Sequence, residues 1–416
     1  MKRWRVCAVL LVGTAGLARA QSNDARRIQD HIDYLASDQL QGRGVGTAGL
    51  DSAGAYIARE FARIGLTQPN GDGFFQVFDI DPTAPAVAHA GLDGARVRNV
   101  VGILPGRGPL AGQVVVVGAH YDHLGLGGMG SLDPDSVGVV HNGADDNASG
   151  AATLIEIARR LRARAAGDRR TIVFVAFTAE ELGLIGSTYY TKHPVLPNDS
   201  AIAMINLDMV GRLDANKLMV FGTETAPEFD GLLDSLNAIH QFALEGSGDG
   251  WGRSDQQSFY AVDVPVLHLF TGTHVDYHRV TDDADKINAD GAARVGRFAA
   301  DLVWSLAGRV ERPTYVAIPQ PAPVAGGYGA WLGTIPDMSE SPGGVRLTGV
   351  RSGSPAEAAG ILGGDIITRI GDHDVADLYG MTDALSAHKP GDVVTIVVLR
   401  DGQTLELTAT LGQRGS

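Results

Sequence analysis

The chain has 416 residues, of which 44% are hydrophobic and 20% are charged. These fractions are ordinary for a globular protein and exclude a disordered chain, and the length suffices for two domains because single cores usually stop growing at about 250–300 residues. The formal net charge of −14 argues against nucleic acids and anionic membranes as partners.

The first twenty residues have the pattern of a signal peptide. A basic start is followed by an apolar run over 6–18 and by small residues that end at Ala20. The run is shorter than the roughly 20 residues that span a bilayer, and no later stretch reaches that length. We therefore expect cleavage near Ala20, no stable membrane insertion, and export to the periplasm or the extracellular space. The only cysteine, Cys7, would be lost, which leaves no disulfide.

Two amphipathic helices are predicted next, over 24–36 and 49–66, because apolar residues recur there at spacings of three and four. Between them, residues 37–46 are rich in glycine and predict a tight connector. This connector is either an ordinary loop between helices or a segment that shapes a functional site. The sequence leaves both interpretations open.

Continuous apolar runs then alternate with helical segments, which predicts a mostly parallel (mixed) sheet sandwiched by helices. The predicted helices cover 151–164, 228–239 and 284–306. The predicted strands cover 74–80, 98–104, 114–123, 171–177, 201–207, 217–221 and 264–270. These elements form an α/β domain that we assign to residues 21–312.

A second domain follows a linker over 313–327, which is rich in proline and glycine. Within 328–414, short runs that alternate or are continuously apolar predict a small β-rich domain with one short helix over 381–388. The predicted strands of this domain are 346–350, 366–370, 393–400 and 404–410.

Acidic and histidine side chains follow the predicted strands of the larger domain at five places. Parallel strands deliver their carboxyl ends to one edge of a sheet, where ligand sites of open α/β sheets form. These side chains are His120 with Asp122, Asp145, Glu180 with Glu181, Asp208, and His278. A single acid after a strand is more often a helix cap, but five occurrences in one sheet predict a shared site.

The residue types favour a pair of zinc ions. Two imidazoles and three carboxylates are enough for two ions that share one bridging carboxylate, and two metals can activate a water molecule for hydrolysis. A further carboxylate must stay off the metals to accept the proton of that water. The Glu180–Glu181 doublet supplies one carboxylate of each kind.

Five segments in combination resemble the secreted co-catalytic dizinc aminopeptidases, metallopeptidase family twenty-eight. The resemblance spans about residues 27–306, and the segments are 120–125, 142–150, 178–187, 206–209 and 277–278. It implies that His120, Asp145 and Asp208 hold one zinc ion. It also implies that Asp145, as the bridge, Glu181 and His278 hold the other.

The same resemblance implies roles for residues around the metals. Glu180 would be the general base and then the general acid, Asp122 would orient His120, and Tyr277 would donate to the oxyanion. It further implies a cis peptide bond between Asp145 and Asp146. Members of the family often have histidine where this chain has Gln256, which leaves the metal set intact.

The C-terminal domain resembles the PDZ domains of bacterial proteases, through residues 328–333, 350–361 and 363–367. Such domains add an extended peptide to a sheet edge and bind its terminal carboxylate with backbone N–H groups. Trp331, Leu332 and Gly333 would form the carboxylate loop, and Met381 would begin the groove helix. The alternative is a domain that only packs on the larger one or joins subunits.

The sequence therefore predicts an aminopeptidase that uses two zinc ions and Glu180 to hydrolyse peptides from their amino ends. A single-zinc glutaminyl cyclase, or a carboxypeptidase or dipeptidase on the same fold, is the alternative among enzymes. A peptide-binding protein without catalysis is the alternative outside them.

Overall fold

A computed structural model describes residues 23–69, 73–81, 87, 92, 94–128, 130–133, 135–164, 166–252, 254–319, 330–336, 343–376 and 378–412. The predicted signal peptide and most of the predicted linker lie outside these residues. None of the described helices is long and apolar enough to cross a membrane.

The chain divides into two compact units. The first contains the described residues up to Gly272 together with His278–Ile318, and the second contains Thr273–Tyr277 and the described residues from Pro319 onward. Residues 313–318, which the sequence assigned to the linker, belong to the first unit. The Tyr260 hydroxyl donates to the carbonyl of Val316 and accepts a hydrogen bond from the N–H of Ile318, both at 2.8 Å.

The first unit is built on an eight-stranded mixed sheet in the order β1-β2-β4-β3-β5-β8-β6-β7. The strands are β1 (Phe75–Asp79), β2 (Arg96–Leu104), β3 (Val114–His120), β4 (Thr171–Phe177), β5 (Ala201–Leu207), β6 (Lys217–Phe221), β7 (Ala243–Ser247) and β8 (Val266–Phe270). The central strands β4, β3, β5 and β8 are parallel to one another, whereas β1, β2 and β6 join the sheet in antiparallel pairings. The predicted mixed α/β sheet is confirmed.

Helices cover this sheet. They are α1 (residues 23–35), α2 (Ala48–Ile64), α3 (Gly150–Arg164), α4 (Ile185–Lys192), α5 (Glu228–His240), α6 (Gln256–Tyr260) and α7 (Ala289–Gly308). The Thr47 side chain caps α2 by accepting a hydrogen bond from the N–H of Leu50, and Gly65 ends the helix at a φ of 82°. The sequence did not predict strand β7 or helices α4 and α6. These elements are too short or too polar to show the apolar patterns by which the other elements were predicted.

The central strands are buried along their whole length. Every residue of β3, β4 and β5 is buried, because helices cover both faces of the sheet. The three strands run in the same direction, so their last residues, His120, Phe177 and Leu207, lie along one edge. The segments that follow them therefore start side by side.

The second unit is a small antiparallel sheet with two helices. Its strands are β9 (Thr334–Pro336), β10 (Val345–Val350), β11 (Ile366–Ile370), β12 (His373–Asp374), β13 (Val393–Arg400) and β14 (Gln403–Thr410), and its helices are α8 (Pro355–Ala358) and α9 (Leu378–Ser386). The main strand order is β14-β13-β11-β10-β9. The predicted β-rich domain is confirmed, with its groove helix beginning three residues before Met381.

The connector between α1 and α2 packs tightly on the start of α2. Residues Asp38–Arg43 form short helical turns, and a Cβ atom at Gly49 would lie 1.8 Å from the carbonyl oxygen of Leu40. Real Cβ contacts are never this short, so only glycine fits at position 49. The connector is thereby fixed against the first turn of α2.

We expect Gly49→Ala to lower the free energy of unfolding by about 1–3 kcal/mol, because the added methyl group must displace backbone atoms. The matched control is Gly231→Ala in α5, where an added Cβ meets nothing within 4 Å. That change should stabilise the protein by up to about 1 kcal/mol, since alanine favours helix over glycine. Urea unfolding of both variants measures the difference, and equal stabilities would contradict this account of the connector.

Candidate metal centre

Two groups of histidine and carboxylate side chains meet at the carboxyl edge of the central strands. His120 ends β3, Glu180 and Glu181 follow β4, and Asp208 follows β5. His278 lies in the segment after β8, and Asp146 lies in the turn before α3. The convergence that the sequence predicted is therefore present in the structure.

The first group surrounds His120, which is buried. Its Nε2 atom lies 3.3 Å from Oδ1 of Asp146 and 3.4 Å from Oδ1 of Asp208. Glu180 stands farther away, with Oε2 at 4.0 Å from the same nitrogen. One atom each from His120, Asp146 and Asp208 lie close enough together to hold a metal ion.

The second group surrounds the other carboxylate oxygen of Asp146. Nε2 of His278 lies 3.0 Å from Oδ2 of Asp146 and 3.3 Å from Oε2 of Glu181. Nδ1 of His123 lies 2.9 Å from Oε1 of Glu181, and His123, Asp146 and Glu181 are a second set with the spacing to hold a metal ion. His123 thus borders the centre directly.

The carboxylate between the two imidazoles belongs to Asp146, not to Asp145. The Asp145 carboxylate accepts a hydrogen bond from the N–H of Gly211 at 2.7 Å. The prediction of Asp145 as the bridge is corrected by one residue. The cis peptide bond is shifted likewise, since it joins Asp146 to Asn147. Two adjacent aspartates are equivalent in a sequence, and only the backbone of the turn, with Asp146 at φ −104° and ψ 93°, decides which one faces the centre.

Asp122 acts mainly on the glutamate doublet. Its two carboxylate oxygens accept hydrogen bonds from the N–H groups of Glu180 and Glu181, at 3.1 and 3.2 Å. The predicted contact with His120 is longer, 3.8 Å from Oδ1 to Nδ1, and the backbone carbonyl of Asp122 lies nearer to that nitrogen, at 3.3 Å. Asp122 therefore fixes the backbone that carries Glu180 and Glu181.

Both imidazoles turn Nδ1 toward a backbone carbonyl. Nδ1 of His278 donates to the carbonyl of Gly130 at 2.9 Å, as Nδ1 of His120 faces that of Asp122. A carbonyl can only accept, so Nδ1 carries the proton and Nε2 faces the carboxylates. Nε2 and a carboxylate oxygen both present lone pairs in the neutral tautomer. A positive charge, either a proton or a metal ion, is needed between them.

The pKa values separate the two neighbouring glutamates. Burial, with the nearby charges of Glu181 and Asp208, raises the pKa of Glu180 well above its usual range. Burial raises the pKa of Glu181 too, but the imidazoles of His278 and His123 together outweigh burial and lower this pKa to about 2. Glu181 thus stays ionised, whereas Glu180 readily carries a proton.

The histidines and Asp146 stabilise one another's charged forms. Burial favours neutral His120, but the carboxylates of Asp208 and Glu180 raise its pKa well above the usual value. The imidazoles of His120 and His278 hold the pKa of Asp146 well below its usual range despite its burial. The centre therefore binds positive charge strongly.

Sequence reasoning missed three groups that hold these side chains. The Ser254 hydroxyl accepts a hydrogen bond from the Asn206 amide and donates to Oδ2 of Asp208 at 2.7 Å. Oδ1 of Asp208 is buried without a hydrogen-bond partner among the described residues and faces His120. Gln256, where the resemblance suggests histidine, accepts a hydrogen bond from the same Asn206 amide at 3.1 Å.

The second and third groups hold the bridge and His278. The Asp282 carboxylate accepts hydrogen bonds from the N–H groups of Asp145 and Asp146, at 2.9 and 3.1 Å. The carbonyl of Gly130 holds His278, as described above. Carbonyl groups have no sequence signature, and an aspartate four residues after a histidine has no distinctive pattern, so neither group is recognisable without the structure.

Tyr277 and the predicted peptide-binding residues of the second unit belong to neither of the two groups. Tyr277 precedes His278 and is partly buried, and its role at an oxyanion stays a prediction. In the second unit, Trp331 pairs with Gly412 through both its N–H and its carbonyl, and Gly333 has a φ of 82°. The side chains of Leu332 and Met381 are buried in the core of that unit. Any peptide contact of Leu332 would therefore be made by its backbone.

The donor set fits divalent metal ions. It offers imidazole nitrogens and carboxylate oxygens, the borderline and hard ligands that suit zinc and similar ions. The imidazoles are oriented by carbonyl acceptors, as metal-binding histidines usually are. His120, Asp146 and Asp208 form one candidate ligand set. Asp146 and Glu181 form the other, together with His123, which has the spacing for a metal ion, or with His278, which lies within 3.3 Å of both carboxylates.

Comparison with known proteins identifies both units. The model of peptidase family M28 matches residues 99–303, and that of the PDZ domain matches residues 331–411. Aminopeptidase YwaD of Bacillus subtilis is 34% identical over 236 residues, which are 52% of this chain and 46% of that protein. The chain spans about half or less of the first curated relatives, 40% and 46% of their lengths.

Solved structures share the fold at low sequence identity. A Zn-dependent exopeptidase from Parabacteroides distasonis matches with a TM-score of 0.55 and 21% identity, over 67% of this chain and 97% of that one. A glutaminyl cyclase from Bacteroides thetaiotaomicron matches with a TM-score of 0.55 and 20% identity, over 68% and 97% of the two chains. The sheet, the convergent strand ends and the matching family models lead to one assignment: the chain carries a peptidase family M28 domain followed by a C-terminal PDZ domain.

Proposed function

We propose that this chain is a zinc-dependent aminopeptidase that removes residues from the amino ends of peptides. The observation that carries the proposal is the position of Asp146, whose two carboxylate oxygens each face a different histidine, His120 and His278. The similarity to aminopeptidase YwaD supports the choice of an aminopeptidase. The signal-peptide pattern of the first twenty residues supports action after export.

Two zinc ions would be held by the two ligand sets that share Asp146. His120 and Asp208 would complete one set, and Glu181 and His278 the other. When bound, zinc ions supply Lewis acidity that polarises a carbonyl group and lowers the pKa of a water molecule. The low pKa of Glu181 keeps it available as an anionic ligand.

Glu180 would handle the proton. Its carboxylate stands 4.0 Å from the nearest histidine nitrogen, beyond the other carboxylates of the centre, and the pKa of its side chain is raised by burial. A general base works best when its pKa lies near the operating pH. Glu180 would accept the proton of the attacking water and return it to the leaving amine. Asp122 would hold it in place by binding its backbone N–H.

The remaining residues would orient the metal ligands and stabilise the oxyanion. Ser254 holds Asp208, Asp282 holds the turn that carries Asp146, and Gly130 holds His278. We assign to Tyr277 the donation of a hydrogen bond to the oxyanion, since it precedes His278 in the chain. Ser254, Asp282 and Tyr277 would act through side-chain hydrogen bonds, so their conservative substitution should reduce the rate without abolishing the fold.

A second candidate function is the cyclisation of amino-terminal glutamine. The fold is shared with a glutaminyl cyclase, which favours keeping this reaction as the alternative. Carboxypeptidase or dipeptidase activity on the same fold is a further alternative. The complete pair of ligand sets supports the peptidase, because a single-zinc cyclase needs only one of them.

For the PDZ domain we propose binding of an extended peptide at the loop of Trp331, Leu332 and Gly333. The positive φ of Gly333 supports a tight loop whose N–H groups can face a carboxylate. Such a domain would bind a substrate or a regulatory peptide.

The position of the bridge is testable by exchanging each aspartate for asparagine. Asp146→Asn should weaken zinc binding roughly 100-fold or more, since even changes beyond the ligands cost about 10–100-fold. Asp145→Asn is the matched control and should stay within about tenfold of the wild type, because asparagine can still accept from Gly211. Zinc affinity is measured by chelator competition, and the reverse order of the two variants would restore Asp145 as the bridge.

The role of Glu180 is testable with Glu180→Gln, which keeps the shape but removes the base. We expect kcat to fall about 10²–10⁴-fold on an aminoacyl anilide, with zinc content unchanged. Glu224→Gln, at an exposed position, is the control and should match the wild type. Wild-type turnover by Glu180→Gln would exclude Glu180 as the general base.

The reaction itself is testable with a mixed peptide library, incubated with and without chelator and read by mass spectrometry. We expect peptides to lose residues from free amino ends, and acetylated peptides and chelated enzyme to show no change. About two zinc ions per chain should accompany this activity. Loss of ammonia from amino-terminal glutamine with about one zinc ion would favour the cyclase, and shortening from the carboxyl end would favour a carboxypeptidase.

A further inference from the structure

Arg43 is a buried arginine in the connector that the sequence left with two interpretations. It is fully buried, at the end of the short helical turns Asp38–Arg43, and has a φ of 48°. A charged side chain is almost never fully buried unless it has partners. The partners of this guanidinium group therefore indicate what it does.

The guanidinium group binds the backbone of two segments that carry the candidate ligands. Nε donates to the carbonyl of Tyr121 at 2.8 Å, between His120 and Asp122. Nη1 and Nη2 donate to the carbonyls of Asn142 and Gly143, at 2.7 and 2.8 Å. These two residues directly precede the turn that contains Asp146. Arg43 thus connects the end of β3 to the start of this turn, Ala144–Ser149, which we call the bridge turn.

The backbone of the connector touches the same two segments. The N–H of His123 donates to the carbonyl of Arg43, and that of Gly125 donates to the carbonyl of Gly42, at 3.3 and 3.1 Å. A Cβ atom at Gly42 would lie 2.4 Å from the carbonyl oxygens of both Gly125 and His141. The connector is therefore wedged between the segment after β3 and the segment before the bridge turn.

The charge of Arg43 also lies behind the acidic centre. Its hydrogen-bond acceptors in the described structure are backbone carbonyls, including that of Leu35 at 2.5 Å. Burial lowers the pKa of Arg43 to about 10, and the carboxylates of Asp122 and Asp146 act in the opposite direction. The group stays positively charged at neutral pH, where it offsets part of the repulsion between these carboxylates.

We propose that Arg43 is a positioning residue that sets the separation between His120 and Asp146 and thereby organises the metal centre. This inference rests on the proposed zinc-dependent function. Lysine cannot replace it, because one ammonium group cannot bind carbonyls in the planar fork of a guanidinium. Arg43→Lys should keep the positive charge but lose the set of hydrogen bonds to the backbone carbonyls. We expect it to weaken zinc binding by about 10–100-fold.

Arg170 provides a matched control outside the centre. It is also fully buried, and its guanidinium group donates to the Gln113 side chain and to the carbonyls of Leu306, Arg309 and Val310. Arg170→Lys therefore removes an equally buried fork from the same domain. If Arg43 had only a structural role, the two variants would have the same zinc affinity.

The experiment compares Arg43→Lys, Arg170→Lys and the wild type as full-length proteins. Chelator competition gives the zinc affinity, and thermal unfolding of the zinc-free proteins gives the stability. We expect both variants to lose stability and only Arg43→Lys to lose zinc affinity, with a lower kcat at saturating zinc and little change in KM. Equal zinc affinities in the two variants would overturn the inference. A wild type that binds no zinc would instead contradict the proposed function.

A second variant keeps the inference testable where Arg43→Lys does not fold. Arg43→Ala leaves space for methylguanidinium, which can donate to the same carbonyls. Methylguanidinium should raise the zinc affinity of Arg43→Ala at least about tenfold and leave that of Arg170→Ala unchanged. The same response in both variants, or in neither, would overturn the inference.

Discussion

The candidate centre depends on one buried carboxylate, that of Asp146, held between two imidazoles. A buried charge is costly unless it is paired and hydrogen-bonded. His120 pairs with one oxygen of Asp146 at 3.3 Å, and His278 pairs with the other at 3.0 Å. Asp282 fixes the backbone at this position, since its carboxylate accepts hydrogen bonds from the N–H groups of Asp145 and Asp146. Any change in the turn before α3 therefore alters both halves of the centre together.

The parallel strands explain why distant residues reach this carboxylate. Strands β3, β4 and β5 end at one edge, and each is followed at once by a functional segment. The strands bring these side chains near one another, and local hydrogen bonds then orient them. Asp122 binds the backbone of Glu180 and Glu181, and Ser254 binds Asp208. The sheet thus sets positions to within a few ångströms, and the hydrogen bonds set directions.

The sequence predicted the parts of this arrangement that follow from strong local patterns. Strands β4, β5 and β6 have the predicted bounds, because continuous apolar runs are flanked by polar turns. His120, Glu181, Asp208 and His278 lie together as expected from their places after strands. The choice between Asp145 and Asp146 was wrong, because it depends on the dihedral angles of an irregular turn. Ser254, Gly130 and Asp282 were missed, since their contacts cross long separations in the chain and use common groups.

The balance of charge supports metal ions at this centre more strongly than any single distance. Asp122, Asp146, Asp208 and Glu181 converge there, with Asp282 directly behind the bridge turn. Among the described residues, Arg43 and Arg212 are cations near these carboxylates, but Arg43 donates its hydrogen bonds to carbonyls and Arg212 is paired with Asp282 at 3.0 Å. His120 and His278 turn Nε2 toward carboxylates. Without a metal ion, only protons on these imidazoles could offset the remaining negative charge. Divalent ions at the two ligand sets would offset it without requiring every imidazole to be protonated, and would leave Glu180 free to carry a proton.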